Sequence, residues 1–221
     1  MNIKEGIEKR FSVRAFTDEV PSMDIIKEIL ITANSAPSGG NIQPWKVYVL
    51  NEETKKALAE KTLHNFDNGV QEEIEYDIYP KPLADEYKKR RYECGADMYK
   101  ALSIEKDDLD SRFKQIRENY NFFGAPLGMI ITIDRSFGRN GWGHVGMFLE
   151  NLWLSAIDKG LGLCLQESWS IYPKTVKEIT KHPDNEIVWC GVAIGYEDKE
   201  DPINQYRTSR EELESFVRFV E

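Results

Sequence analysis

The sequence predicts an α+β fold in which a central mixed sheet is flanked by helices, and three observations carry that reading. Short apolar runs rich in β-branched residues, WKVYVL at Trp45 to Leu50, LGMIITID at Leu127 to Asp134 and EIVWCGVAIG at Glu186 to Gly195, have the length and content of buried strands. Segments with apolar residues at helical spacing lie between them. The segment Val145 to Lys159 is apolar nearly all round, through Phe148, Leu149, Leu152, Trp153, Leu154 and Ile157. A helix with so little wet surface belongs at the centre of the molecule or in a subunit interface.

Along the chain, Ile26, Ile29, Leu30 and Ala33 recur at helical spacing after Pro21-Ser22, so a helix is expected within Val20 to Ala36. Pro37-Ser38-Gly39-Gly40 ends it and opens a polar loop into the strand at Trp45. Glu52 to Leu63 reads as a more polar helix. Asn65 to Asn119 is rich in charge and tyrosine with weak hydrophobic periodicity, and reads as an insertion of helices and irregular segments within one domain spanning 1–221. After the strand at Leu127 a glycine-rich turn leads to the central helix, and Gly160-Leu161-Gly162 turns the chain into a short strand at Leu163 to Gln166. Pro173 to Thr180 is a short helix before the last strand. Ser209 to Val220 is helical or extended, with Leu213, Phe216 and Val217 available for packing.

Composition narrows the function. The chain has 221 residues, 41% of them hydrophobic, with 29 Lys+Arg against 38 Asp+Glu and a net charge of −9. That balance disfavours nucleic acid or an anionic membrane as partner. The three cysteines, Cys94, Cys164 and Cys190, are widely spaced and read as buried free thiols in a reducing compartment. With no signal-like start and no run of membrane-spanning length, the expectation is a soluble, cytoplasmic protein.

Several motifs fail on inspection. Gly141-Trp142-Gly143-His144-Val145-Gly146 matches GxGxxG, but Arg135 to Asn140 separate it from the preceding strand and no acidic residue follows to hold a ribose, so it reads as a turn into the central helix. His64, His144 and His182 are too scattered for a zinc site. No GxSxG elbow occurs. Lys88-Lys89-Arg90-Arg91 is diluted by Asp85, Glu86 and Glu93 and reads as a solvated helical face.

Two blocks hold. In Arg10-Phe11-Ser12-Val13-Arg14, two arginines four apart flank a hydroxyl, a donor set suited to a phosphate. The block Ala36-Pro37-Ser38-Gly39-Gly40-Asn41-Ile42-Gln43-Pro44-Trp45 offers an unencumbered backbone, two amides that donate and accept, and a rigid exit.

With these blocks the sequence resembles the FMN-dependent nitroreductase family. The likeness runs through RFSVRAF and APSGGNIQPW, then GAPLGMIITID, GMFLENLWLSAIDKGLGLCLQESW and GVAIGYEDKEDPINQYRTSREEL, and it leaves out most of the insertion. The chain looks most like the nitrobenzoate-reductase branch, through Tyr79-Pro80 to Arg91 and Phe122 to Pro126. The glycine-asparagine loop is also similar to that of iodotyrosine deiodinases.

The resemblance implies a homodimer with helices at the interface and two FMN sites, each built from both chains. It assigns Arg10, Ser12 and Arg14 to the phosphate and ribityl. Pro37, Ser38, Asn41 and Gln43 would come from the second subunit to the ring and ribityl. Gln166 and Glu167 belong to the segment whose backbone faces the reactive edge of the flavin. Arg210 would close on the phosphate, with Arg207 as the alternative, because Glu212 stands where the family usually has proline. No side-chain nucleophile and no metal is required; the flavin does the chemistry, taking hydride from NADH or NADPH and passing it in ping-pong fashion to a nitroaromatic or related aromatic or quinone acceptor. Reductive dehalogenation on the same scaffold and a non-catalytic flavin-binding redox module are the alternatives. Trp45 and Trp153 read as core. Tyr79, Arg90 and Arg91, with Tyr76 and Tyr87, read either as a reader of an aromatic carboxylate or as packing and solvated charge within the insertion.

Overall fold

The computed structural model describes residues 2–220. Its elements are α1 (Ile3–Lys9), α2 (Met23–Ala33), β1 (Trp45–Leu50), α3 (Glu52–Asp67), α4 (Asp85–Ala101), α5 (Leu109–Arg117), β2 (Leu127–Asp134), α6 (Arg139–Asp158), β3 (Gly162–Gln166), α7 (Pro173–Thr180), β4 (Glu186–Gly195) and α8 (Leu213–Phe216). The four strands form one sheet in the order β1-β2-β4-β3. All three strand pairs are antiparallel. The mixed character expected of the sheet is confined to its β3 edge, where Ser12 makes a parallel bridge to Leu163.

Alternation along β2 explains why the sheet is covered twice. Met129, Ile131 and Ile133 face Ile26 and Ile29 of α2 and Val145, Phe148 and Leu152 of α6. Ile130 faces the other way, to a cluster with Leu58 of α3, Val176 of α7, Phe122 and Trp169. Strands buried on both faces read as continuous apolar runs, which is why their bounds were visible in the sequence.

The register between β2 and β4 shifts between Ile131 and Thr132: Ile131 pairs with Cys190 and Thr132 with Val188. Trp189 is therefore the extra residue of a β-bulge, and it and Cys190 both pack towards the α2/α6 face. The Tyr76 hydroxyl donates to the Trp189 carbonyl at 2.5 Å. Its ring stacks on Trp189 and meets Trp142 edge-on. Tyr76 is thus a fastener between the insertion and the bulge, not a free aromatic surface.

Helix ends follow capping chemistry. Ser22 accepts the Ile25 N–H at the start of α2, and Asn51 accepts that of Thr54 at the start of α3. No side chain of its own N-cap residue caps α7; instead Glu72 accepts the Lys174 N–H at 2.7 Å and the Thr175 N–H at 3.2 Å, tying the insertion to a positive helix end.

Three expectations are corrected. The central helix begins at Arg139, so the glycines read as a turn lie inside α6; Gly141 is fixed there because Phe137 packs where its Cβ would stand. Cys164 and Cys190 are buried, whereas Cys94 on α4 is exposed. In the tail, α8 spans only Leu213–Phe216 and leaves Leu213 and Phe216 exposed in this chain. Among the described residues no helix is long and apolar enough to cross a membrane.

Candidate active site

The site starts from an extended segment. Ser12 bridges Leu163, and the Val13 N–H donates to the Leu163 carbonyl at 2.9 Å. In extended chain alternate side chains share a face. Val13 turns into the core at 3% exposure, and Arg10, Ser12 and Arg14 turn the other way. The close approach depends on Gly162, where a Cβ would stand 2.5 Å from Val13.

Arg10, Ser12 and Arg14 line a cleft of about 450 Å³ with Tyr206, Arg207, Thr208 and Arg210. Both late arginines, Arg207 and Arg210, therefore line it. Arg14 donates weakly to the Ser12 carbonyl and the Tyr206 hydroxyl, each at 3.4 Å. Arg207 lies over the Phe11 ring at 3.5 Å and donates to the Asn204 carbonyl at 2.6 Å. Arg210 donates to the Thr208 hydroxyl at 2.7 Å and the Ser209 carbonyl at 2.8 Å. Among the described residues only Arg10 of the four forms an ion pair, with Glu150 at 3.9 Å. Four guanidinium groups are gathered here against two carboxylates, Glu8 in the lining, which pairs with Lys4 at 3.7 Å, and Glu150 beside Arg10, a balance of charge that suits an anion.

Ser12 also belongs to a second cleft of about 710 Å³, walled by Gly146, Leu149, Glu150 and Trp153 of α6, by Leu165 to Ser168, and by Trp189 and Cys190 of the bulge. The two clefts are joined again where Arg10 lies 4.6 Å over the Trp153 ring. Gln166 and Glu167 sit on this wall. The Gln166 amide is engaged inside the protein, donating to the Asn119 carbonyl at 2.7 Å. The Glu167 carboxyl has its pKa raised above the ordinary carboxylate value, because burial by surrounding protein disfavours its charge. The Trp153 indole N–H and the Ser168 hydroxyl are buried there without a hydrogen-bond partner among the described residues.

Tyr79 and Arg91 reach the same cleft from the insertion, with the Arg91 guanidinium 4.4 Å from the Tyr79 centroid. Arg90 does not. It donates to Glu211 at 2.8 Å and faces Glu86, holding α4 to the tail. Neighbours on a helix diverge by about 100°, so one arginine turns to the cleft and the other away. Tyr87 is half exposed and lies under Arg90.

The loop residues Pro37, Ser38, Asn41 and Gln43 line neither cleft. Their loop is closed on itself: Ser38 Oγ accepts the Gln43 N–H at 3.0 Å, and the Gln43 amide donates to the Asn41 carbonyl at 3.2 Å. Gly40, Asn41 and Gln43 all take positive φ, of 58°, 57° and 45°. The loop docks on α6 through the Gly39 N–H, which donates to His144 Nε2 at 3.3 Å. At about 100° per residue, His144 lies roughly 160° round α6 from Gly146, and Glu150 and Trp153 share the Gly146 side. Helix α6 therefore separates the loop from the clefts of its own chain.

Sequence reasoning missed Trp153, Trp189, Cys190 and Glu150 as wall residues. Trp153 and Cys190 are buried enough to read as core, and a bulge leaves no mark in a buried apolar run. Glu150, the one carboxylate within the apolar run Val145 to Ile157, was the available signal. Trp45 is core as expected, stacked on Phe148 at 5.0 Å.

Comparison with known proteins gives a consistent answer. The family model described as Nitroreductase family matches residues 7–196. A 4-nitrobenzoate reductase from Nocardioides sp. is 34% identical over 214 residues, covering 96% of this chain and 87% of the relative. A nitrobenzene nitroreductase from Ectopseudomonas oleovorans is 32% identical, covering 99% and 96%. The crystal structure of an FMN and NADPH-dependent nitroreductase, NfnB from sphigopyxis sp. strain HMH, superposes with a TM-score of 0.96 over 100% of both chains at 34% identity.

Glu167 yields a test of the cleft's environment. A carboxyl with a raised folded-state pKa loses stability as pH rises from the ordinary carboxylate value through the raised one. Glu167→Gln is expected to stabilise the flavin-free protein above that interval and to leave it unchanged below it, as read from denaturation midpoints against pH. A gain of equal size at both ends would show that the effect is not ionic.

Proposed function

The chain belongs to the nitroreductase family, and from that premise we propose that it is an FMN-dependent oxidoreductase carrying hydride from NADH or NADPH to a nitroaromatic or related aromatic or quinone acceptor. The observation that carries this reading is the junction at Ser12, where a four-arginine cleft opens into a larger cleft with apolar walls. The residues fit FMN. A phosphate dianion matches guanidinium groups now bonded mainly to neutral acceptors, and the orphaned Trp153 N–H and Ser168 hydroxyl are groups that a polar ring edge would satisfy.

When bound, FMN supplies the hydride chemistry, accepting from the reduced nicotinamide and returning to the acceptor. The chain's own part is binding, orientation and exclusion of water. Arg10, Ser12, Arg14 and Arg210, with Arg207, hold the phosphate end, and the backbone of Gln166 and Glu167 orients the ring end. Gly146 leaves room on α6 where a side chain would intrude, and Leu149, Trp153, Leu165 and Trp189 keep the cleft dry. One cleft must serve donor and acceptor in turn, which gives ping-pong kinetics.

The same reading makes the protein a homodimer. Pro37, Ser38, Asn41 and Gln43 are cut off from their own clefts by α6, so they complete the site of a second copy. Surface apolar residues agree with such an assembly: Ile3 is 80% exposed, Phe216 70% and Phe219 84%. Helix α6, with the cleft on one side and the loop on the other, belongs to that interface. A reducing cytoplasm suits both the nicotinamide donor and the free cysteines.

The purified protein is expected to show the visible bands of oxidised flavin and to consume NADH or NADPH only with an acceptor, with parallel lines in double-reciprocal plots. Arg14→Ala should weaken FMN by about 1.5–3 kcal/mol, the scale of a hydrogen bond to a charged group. A colourless protein, or flavin retention unchanged in that variant, contradicts the assignment.

Arg91 gives a second expectation. Its guanidinium has the Tyr79 ring beneath it and, among the described residues, no carboxylate partner, so it is placed to read the acid group of an aromatic acceptor. Arg91→Ala should raise KM for a nitrobenzoate and leave that for nitrobenzene nearly unchanged, because only binding of the carboxylate is lost. Arg90→Ala should alter neither. Equal effects of Arg91→Ala on both acceptors would show that it holds the insertion together.

A further inference from the structure

A groove of about 340 Å³ between α4 and α5 lies beyond the site described so far, and it shares Arg91 with the larger cleft. Its charge stands out in a chain of net charge −9: Lys88, Arg91 and Arg112 all line it. Lys88 is paired with Asp85 at 3.0 Å, but among the described residues Arg112 is not paired with any carboxylate. The Arg112 guanidinium lies 4.3 Å from the Tyr99 ring centroid and donates through Nε to the Glu105 carbonyl at 3.2 Å, which fixes it in place and leaves its terminal N–H groups unused. Tyr92 and Tyr99 give the groove aromatic walls.

Gly95 supplies an independent observation. It stands in the middle of α4, where glycine costs about 1 kcal/mol relative to alanine. Close packing does not require it, since among the described residues nothing beyond its chain neighbours and the helix's own backbone lies within 4 Å of the position its Cβ would take. What the glycine does is leave the groove open beside the unpaired arginines.

We propose that this groove binds the adenosine 2′-phosphate end of NADPH and so makes NADPH the preferred donor over NADH. The inference rests on the proposed oxidoreductase reading, because it takes the nicotinamide end to lie in the larger cleft, on the far side of Arg91. An unpaired guanidinium selects a phosphate over a hydroxyl, and a tyrosine-walled slot with a glycine floor suits a flat purine. A site that hydrogen-bonds a charged group discriminates strongly against the analogue that lacks it.

The direct test is calorimetric titration of the flavin-loaded protein with adenosine 2′,5′-bisphosphate and with adenosine 5′-monophosphate. The bisphosphate is expected to bind at least about tenfold more tightly, the scale of a hydrogen bond to a charged group. Arg112→Ala should abolish that difference. Gly95→Leu, which fills the floor while raising helix propensity, should weaken both compounds. In turnover Arg112→Ala should raise KM for NADPH about tenfold, leaving KM for NADH, KM for the acceptor and kcat unchanged. Equal binding of the two nucleotides to the unaltered protein, or an Arg112→Ala effect shared equally by NADPH and NADH, overturns the proposal. Failure of the functional reading looks different: no oxidation of either donor with any acceptor, while the bisphosphate still binds through Arg112.

Discussion

The contact between Val13 and Gly162 is the constraint on which the site depends. It lets an extended segment lie against the edge of β3, so the period of two, not 3.6, governs Arg10, Ser12 and Arg14 and sends all three to one side. Any side chain larger than hydrogen at Gly162 would push the segment off the strand. The arginine cleft would then lose its N-terminal half, and the junction at Ser12 between the two clefts would open. Val13 anchors the segment in the core at one position, and charged neighbours on either side can reach solvent and ligand without being buried themselves.

Electrostatics explains why such a cluster is tolerated. Like charges this close repel, and in the protein alone the repulsion is relieved by carbonyl and hydroxyl acceptors, by the Phe11, Trp153 and Phe123 rings, and by Glu150 at a distance. An anion with several oxygens replaces many of these weak arrangements with charge-assisted hydrogen bonds. Burial at the other end of the site works oppositely: Glu167 and Cys190 both have raised pKa values, so negative charge is disfavoured at those two positions. An arginine-rich end that suits an anion and a buried end where charge on Glu167 and Cys190 is disfavoured give the joined clefts a direction.

Much of this was legible in the sequence, for physical reasons that can be named. β1, β2, β4 and α7 begin and end where the apolar runs and the helix signals place them; β2 and β4 are buried on both faces and so carry their bounds in their composition. Gly141, Gly143 and Gly146 concealed the first turns of α6, since local propensity argues for a turn and only the packing of Phe137 on Gly141 overrides it. Tyr76 looked available and is a fastener, because the partner it needs, the carbonyl of a bulge residue, depends on strand register. Arg90 and Arg91 were inseparable as sequence; the helix parts them, one to the tail through Glu211 and one to the cleft over Tyr79.

The central claim is that each site takes its phosphate arginines from one chain and its glycine-asparagine loop from another. Mixed dimers test it most directly: a chain carrying Arg10→Ala and Arg14→Ala is coexpressed with a differently tagged chain carrying Asn41→Ala and Ser38→Ala, and the mixed species is isolated by both tags. Each parent dimer should bind FMN poorly, and the mixed dimer should recover one tightly bound FMN, because one of its sites then has both intact halves. A mixed dimer as poor in flavin as its parents, or a flavin-loaded monomer in sedimentation, would contradict the account.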